Sequence, residues 1–133
     1  MSENVDLVRS IYSDWERGDY SSADWADPDI EFEMADGVSP GRWVGLAEMA
    51  VACRGILNAW QNLRSGEQEY RVLDGERVLV LEHRSGRGKI SSIELADMQT
   101  QGATLWQMRD GKATRLVIYY DRNRALTDLG LGE

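Results

Sequence analysis

The chain has few of the residues that carry most metal and redox chemistry. Its 133 residues include one cysteine, Cys53, and one histidine, His83. A single cysteine excludes an intrachain disulfide and a cysteine-based metal site, and a single histidine excludes a zinc site built on several histidines. His83 would also have to serve any Ser-His-Asp or Cys-His arrangement, and no serine lies in a Gly-x-Ser-x-Gly segment. There is no Gly-rich phosphate loop either, so we expect neither a metal nor an organic cofactor.

Basic charge and long apolar runs are scarce as well. Lysine and arginine total 15 against 23 aspartates and glutamates, so the formal net charge is −8. Because such a chain repels phosphate, we expect neither nucleic acid nor an anionic membrane as a partner. No stretch approaches the roughly 20 apolar residues of a membrane-spanning helix. The N-terminal residues lack the basic start and apolar stretch of a signal peptide. These features favour a cytoplasmic protein.

Length and hydropathy pattern predict one α+β domain over residues 1–133. The chain is long enough for one core with a modest cavity, and 42% hydrophobic residues is an ordinary globular proportion. Helical spacing predicts helices over residues 4–17, 19–25, 46–63 and 123–129. Alternation predicts strands over residues 29–34, 67–73, 77–85 and 112–121, and an extended stretch over 89–109 with Gly102 at a bulge or bend. The four strands after residue 66 are predicted to form an antiparallel meander, and the helices are predicted to pack on one face of the curved sheet.

The turns are predicted from glycine and its neighbours. The pairs Asp74-Gly75 and Asp110-Gly111 are strong hairpin signals. Residues 86–88, with two glycines, are predicted to turn, and residues 35–45, with three glycines and a proline, to form a loop.

Several local sequences resemble the SnoaL-like branch of the nuclear transport factor 2-like superfamily. They are Trp15-Glu16-Arg17-Gly18-Asp19, Asp27-Pro28-Asp29-Ile30-Glu31-Phe32, Arg42-Trp43-Val44-Gly45, Arg109-Asp110-Gly111-Lys112 and Tyr120-Asp121-Arg122-Asn123-Arg124. Their order and spacing extend the resemblance over nearly the whole chain. It implies a cone-shaped fold in which a curved antiparallel sheet wraps around helices and encloses a cavity. The superfamily includes isomerases, hydrolases, cyclases, binding proteins and assembly domains, so the fold alone assigns no function.

Strand parity combined with this resemblance predicts which side chains face the inside of the cone. Glu82 and Tyr120 are the predicted catalytic residues. The predicted ligand-binding residues are Tyr12, Trp15, Phe32, Met34, Val80, Thr104, Trp106, Leu116 and Ile118.

Glu82 is the most distinctive residue of the predicted site. It shares its side of the strand with Val78 and Val80, and a carboxylate in apolar surroundings suits a general acid or base. A structural carboxylate paired with an arginine or a tyrosine hydroxyl explains the same pattern. The aromatic residues likewise fit either a ligand-binding wall or a filled core.

The residues that perform two known reactions of the superfamily are missing. By resemblance, the ketosteroid isomerase general base falls at Met34, its tyrosine donor at Ile11 and its protonated aspartic acid near Thr104. The epoxide hydrolase set keeps one carboxylate, at Glu82, but its arginine falls near Val80 and its second carboxylate position is apolar too. We therefore do not expect a standard ketosteroid isomerase.

Three functions stay open. The chain could be a cofactor-free acid–base enzyme of the isomerase, cyclase or hydrolase type, acting on a small, mostly apolar metabolite. It could also be a non-catalytic protein that binds a small-molecule ligand, or an interaction module with a collapsed cavity. The opposite face of the sheet carries an apolar stripe of Leu79, Leu81, Leu105, Val117 and Tyr119. Because exposed apolar patches mark interfaces, we predict a homodimer through this outer face.

Overall fold

The computed structural model describes residues 2–16, 24–36, 40–88 and 97–131. In these residues the order of elements is α1 Ser2–Glu16, β1 Ala26–Met34, β2 Gly41–Val44, α2 Leu46–Ala59, β3 Trp60–Val72, β4 Arg77–Gly88, β5 Asp97–Arg109, β6 Lys112–Tyr119 and α3 Arg122–Asp128. None of the described helices is long and apolar enough to span a membrane.

The strands form one mixed sheet in the order β2-β1-β6-β5-β4-β3. Strands β3 to β6 are consecutive antiparallel neighbours, which confirms the predicted meander. Strand β1 pairs in parallel with β6 and antiparallel with β2. The α+β class is thereby confirmed. The sheet is mixed rather than wholly antiparallel, because β1 returns beside the last strand.

The helices cover both faces of the sheet, not one as predicted. On the face that we call inner, α1 and α2 pack through residues such as Val8 and Met49 onto Phe32 and Leu116. Helix α3 packs its buried Ala125 on the outer face. The pattern of residues 123–129 predicts this helix but not the face of the sheet on which it packs, because its apolar residues Ala125, Leu126 and Leu129 could cover either face.

The apolar stripe on the outer face is buried inside the single chain. Its five members, Leu79, Leu81, Leu105, Val117 and Tyr119, are at most 5% exposed. Ala125 is buried with them, and Leu126 and Leu129 pack against this cluster at its edge. The exposed patch that motivated the homodimer is therefore absent from this face of the described chain.

Several element boundaries differ from the predictions. Strand β2 lies within the predicted loop, where it pairs with β1, and β1 itself begins at Ala26. Helix α2 ends at Ala59, because the chain after it enters β3 and pairs with β4. The predicted helix over residues 19–25 falls mostly outside the described residues, but Asp24 and Trp25 form a turn.

Two glycine predictions were wrong. Strand β4 continues through residues 86–88 and pairs there with β5, because glycine permits a turn without requiring one. Gly102 pairs regularly with Glu82, and the irregularity of β5 lies between Gln107 and Met108.

Both Asp-Gly hairpins are confirmed, in different conformations. Asp110 and Gly111 have φ values of 52° and 76°, the left-handed pair that suits a two-residue hairpin. In the β3–β4 turn, the Asp74 carboxylate accepts hydrogen bonds from the backbone N–H groups of Glu76 and Arg77. The Glu76 N–H and the Arg77 side chain lower the pKa of the Asp74 carboxyl.

Candidate functional site

Rows of side chains cross the inner face of the sheet in register. One row runs Phe32, Leu116, Trp106 and Val78, and the next runs Met34, Ile118, Thr104 and Val80. In the following row Glu82 lies opposite Gly102. Since Gly102 has no side chain, the Glu82 carboxylate has no side-chain neighbour directly across the strand pair. Parity thus places the predicted residues of β1, β4, β5 and β6 on one surface.

Glu82 is a buried carboxylate in the last of these rows. Its exposed fraction is 2%, and Thr104 is the other buried polar residue of the described chain. The Thr104 hydroxyl donates a hydrogen bond to Glu82 Oε2 at 2.6 Å. The Tyr12 hydroxyl donates to the same oxygen at 3.0 Å. Two donated bonds on one oxygen stabilise a carboxylate that burial would otherwise destabilise.

Helix α1 brings Tyr12 to this carboxylate. Tyr12 follows Val8 by one helical turn, and both side chains are buried against the sheet. The Trp106 indole N–H donates to the Tyr12 hydroxyl oxygen at 3.4 Å. The hydrogen bonds therefore run from Trp106 to Tyr12 and from Tyr12 to Glu82. They connect α1, β4 and β5 through one buried chain of side chains.

Tyr12 packs with four other aromatic residues, and we call these five rings the aromatic cluster. Tyr12 lies 5.3 Å from Trp15, 5.9 Å from Trp106 and 6.2 Å from Tyr70 between ring centroids. Trp25 lies 5.3 Å from Trp106 and 6.2 Å from Trp15. Most of these pairs meet edge to face, the favourable geometry for packed aromatic rings.

The predicted ligand-binding residues differ in how far protein encloses them. Phe32, Val80 and Trp106 have no exposed surface, and Leu116 is 2% exposed. The half-buried members pack at the border of the same inner cluster; they are Trp15, Ile118 and Tyr120. A ligand on this surface would therefore meet Trp15, Ile118 and Tyr120 first, while Phe32, Val80 and Trp106 form the packed floor.

Two residues outside the predicted site position it. The Asp36 carboxylate accepts hydrogen bonds from the backbone N–H of Tyr120 at 2.6 Å and of Asp121 at 3.2 Å. Arg122, the first residue of α3, donates from Nη2 to the main-chain carbonyl of Glu82 at 3.4 Å. A carboxylate in a predicted loop and an arginine after the last strand gave no sequence signal for these contacts. They depend on the pairing of β1 with β6 and on the position of α3 against the sheet.

Metal ligands do not cluster in the part of the chain that the structure describes. No group of three or more histidine, cysteine, aspartate or glutamate side chains there could hold a metal ion. Cys53 of α2 is half-buried and packs against the inner cluster, and desolvation raises the pKa of its thiol.

Solved structures of other proteins share this architecture. A nuclear transport factor 2-like protein of unknown function from Burkholderia pseudomallei K96243 is 22% identical over 96% of this chain and 97% of its own, with a TM-score of 0.77. A protein from Jannaschia sp. CCS1, provisionally assigned as a SnoaL-like polyketide cyclase, is 14% identical over 96% and 90%, with a TM-score of 0.75. The chain has the SnoaL-like, nuclear transport factor 2-like fold.

A third similar structure contains a small molecule. It is TerC co-crystallised with polyporic acid, 23% identical over 96% of this chain and 98% of its own, with a TM-score of 0.71. No protein-family model matches the chain, and no curated protein matches it either. At these identities the SnoaL-like likeness establishes the fold, and function has to be argued from the site.

Proposed function

We propose that this SnoaL-like chain binds a small, mostly apolar molecule on the inner face of its sheet, beside Glu82. The observation that carries the proposal is the Glu82 carboxylate, which is 2% exposed among apolar residues. Burying a carboxylate costs free energy even when it is hydrogen-bonded. A leucine would pack there without that cost, so a charged group at this position is best explained by a ligand that uses it.

The same site suits cofactor-free acid–base catalysis. Glu82 would take a proton from a bound substrate and return it to another atom of the same molecule. Tyr12 and Thr104 hold the carboxylate oxygen at 3.0 and 2.6 Å, so its orientation is fixed before a substrate arrives. Tyr120, half-buried at the edge of the inner cluster, would hold a substrate oxygen. The similar structures, one provisionally assigned as a polyketide cyclase and one co-crystallised with polyporic acid, support a small-molecule ligand.

A binding experiment tests this proposal. Polyporic acid is the first probe, measured by calorimetry and by quenching of tryptophan fluorescence. We expect Glu82→Gln to keep the fold and to change the affinity at least about tenfold, because it replaces a charged hydrogen-bonding group of the site with a neutral one. Glu69→Gln is the matched control, because it removes the same charge from an exposed pair with Arg71.

Native mass spectrometry of the purified protein extends the test to ligands that co-purify with it. A protein that binds neither polyporic acid nor any co-purifying molecule would contradict the proposal. Binding that Glu82→Gln leaves unchanged would remove Glu82 from the site.

The enclosure of the inner face favours a second candidate, a non-catalytic role. Phe32, Val80 and Trp106 have no exposed surface, as expected of a filled core. Here the Tyr12–Glu82–Thr104 hydrogen bonds would fix the position of α1 on the sheet. The two candidates differ in one measurement, since a substrate turned over by the wild type and not by Glu82→Gln is expected only of the enzyme.

The homodimer and the compartment remain proposals. A second copy would not contact the apolar stripe directly, since the stripe is already buried within one chain. Sedimentation at micromolar concentration tests the homodimer, and a clean monomer would contradict it.

A cytoplasmic location is supported by the single cysteine, which leaves no intrachain disulfide to form. Cell fractionation is its test.

A further inference from the structure

We infer that the ligand of this site carries a positive charge, in the form of an organic ammonium group. This inference rests on the proposed function and adds the chemical class of the ligand. Its basis is a juxtaposition: the buried Glu82 carboxylate and the aromatic cluster meet at one residue, Tyr12. An ammonium group is the chemistry that both features recognise.

The first feature is the carboxylate. Glu82 is 2% exposed, so a charge brought next to it interacts through a medium of low dielectric. Attraction between opposite charges is far stronger there than in water, and repulsion between like charges grows equally. A ligand carboxylate or phosphate would therefore be rejected from this position, while an ammonium group would gain a desolvated ion pair.

The second feature is the set of aromatic rings beside it. The Tyr12 hydroxyl donates a hydrogen bond to Glu82. The centroid of its ring lies within 6.2 Å of the ring centroids of Trp15, Trp106 and Tyr70. Aromatic faces attract organic cations, tryptophan most strongly. One ring of the cluster already does so, because the Arg9 guanidinium carbon lies 4.3 Å from the centroid of Tyr70.

The charge of the whole chain acts in the same direction. A net charge of −8 raises the local concentration of cations and lowers that of anions. Three members of the aromatic cluster are half-buried, namely Trp15, Trp25 and Tyr70, so their rings are the accessible part of the site. A cation drawn to the protein would meet these rings before it reached the carboxylate.

Three probes of similar shape test the inference. They are phenethylammonium, phenethyl alcohol and hydrocinnamate, which carry positive, neutral and negative groups on the same phenylalkyl body. Binding is followed by the indole N–H signals of the tryptophans in nitrogen-labelled protein, at low and at moderate salt. We expect the ammonium probe to bind at least about tenfold more tightly than the alcohol, as a desolvated cation–π contact implies. Hydrocinnamate should bind most weakly.

Two variants separate the site from the general charge of the protein. Glu82→Gln should reduce the preference for phenethylammonium, while Glu69→Gln, with the same change in net charge, should alter it less than about twofold. Equal affinity for the ammonium and alcohol probes, tighter binding of hydrocinnamate, or equal losses in both variants would overturn the inference. If the alcohol or polyporic acid shifts the indole signals while the ammonium probe does not, the proposed function stands and this inference falls. If no probe shifts them, this inference falls, and the proposed function falls with it when no molecule co-purifies either.

Discussion

At the scale of single residues, the Thr104 hydroxyl holds the buried carboxylate. It donates to Glu82 Oε2 at 2.6 Å from a side chain that is 4% exposed. Thr104→Val keeps the shape and removes the donor, so it should lower the free energy of unfolding by about 1.5–3 kcal/mol, the range for a hydrogen bond to a charged group. Urea unfolding measures this change.

Thr114→Val is the control for that substitution. Its hydroxyl donates to the main-chain carbonyl of Gln107 at 3.2 Å, a neutral acceptor, from a part-buried position. The expected loss is about 0.5–1.5 kcal/mol. Equal effects of the two substitutions would show that the bond to Glu82 has no special strength.

Cys53 provides a second prediction at this scale. Burial raises the pKa of its thiol, so the reactive thiolate forms at higher pH in the folded chain than in the unfolded chain. Iodoacetamide at about pH 8 should therefore alkylate the native protein much more slowly than the protein in denaturant. Mass spectrometry gives the rate without ambiguity, because the chain has one cysteine. Equal rates would contradict the buried position.

For individual residues of the site, the sequence predicted the face of the sheet on which they lie but not the contacts they make. Alternation in β4 places Glu82 on the inner face with Val78 and Val80, and all three are buried there. Tyr12 and Thr104 were predicted to contact a ligand, and the structure has both donating to Glu82. Tyr12 and Glu82 are 70 positions apart in the sequence. No local pattern predicts how closely α1 approaches β4.

At the scale of elements, the two Asp-Gly turns offer a matched pair. Gly111 has a φ of 76°, whereas Gly75 does not adopt a positive φ, and an added Cβ would meet nothing within 4 Å at either position. Gly111→Ala should lower the free energy of unfolding by about 1 kcal/mol, because L-residues are strained in the left-handed region. Gly75→Ala should leave the free energy of unfolding unchanged or raise it by about 0.4–1 kcal/mol, because alanine gives the unfolded chain fewer conformations than glycine does.

Thermal unfolding of the two variants checks this prediction, and similar melting temperatures would contradict it. The pair also shows why the sequence predicts hairpins better than their geometry. The Asp-Gly dipeptide signals both turns, but the Asp74 carboxylate organises one by accepting backbone N–H groups and Gly111 organises the other by its φ. Strand β2 gave no such signal, since its four residues, Gly41–Val44, become a strand only through pairing with β1.

At the scale of the whole molecule, the three-layer arrangement was the least predictable feature. The meander follows from alternation and turns, and α1 and α2 follow from their apolar stripes. The side on which α3 packs depends on the outer stripe that it covers, which is set by strands distant in sequence.

Leu81, a member of that stripe, is 2% exposed in the single chain. Leu81→Arg would therefore destabilise the monomer itself, and sedimentation of the wild type is the better test of association.

The packing of α3 on the sheet predicts a loss of stability at alkaline pH. Tyr119 is buried beneath the outer layer, and desolvation raises the pKa of its phenol, with the charges of Asp128 and Glu33 acting in the same direction. The neutral phenol is therefore favoured in the folded state. Its contribution to stability is fully present below the unfolded pKa of about 10 and is lost as pH rises through the higher folded value.

Thermal unfolding between about pH 8 and pH 11 tests this linkage. The wild type should lose stability above about pH 10, and Tyr119→Phe should lose less over the same range, because it has no phenol to ionise there. Asp128→Asn removes one of the charges that raise this pKa, so its tyrosinate absorbance should appear at lower pH than in the wild type. A Tyr119→Phe profile that parallels the wild type would show that the phenol ionises equally in both states. The contact between α3 and the sheet would then be too loose to exclude water, and the outer stripe would be available to a second copy.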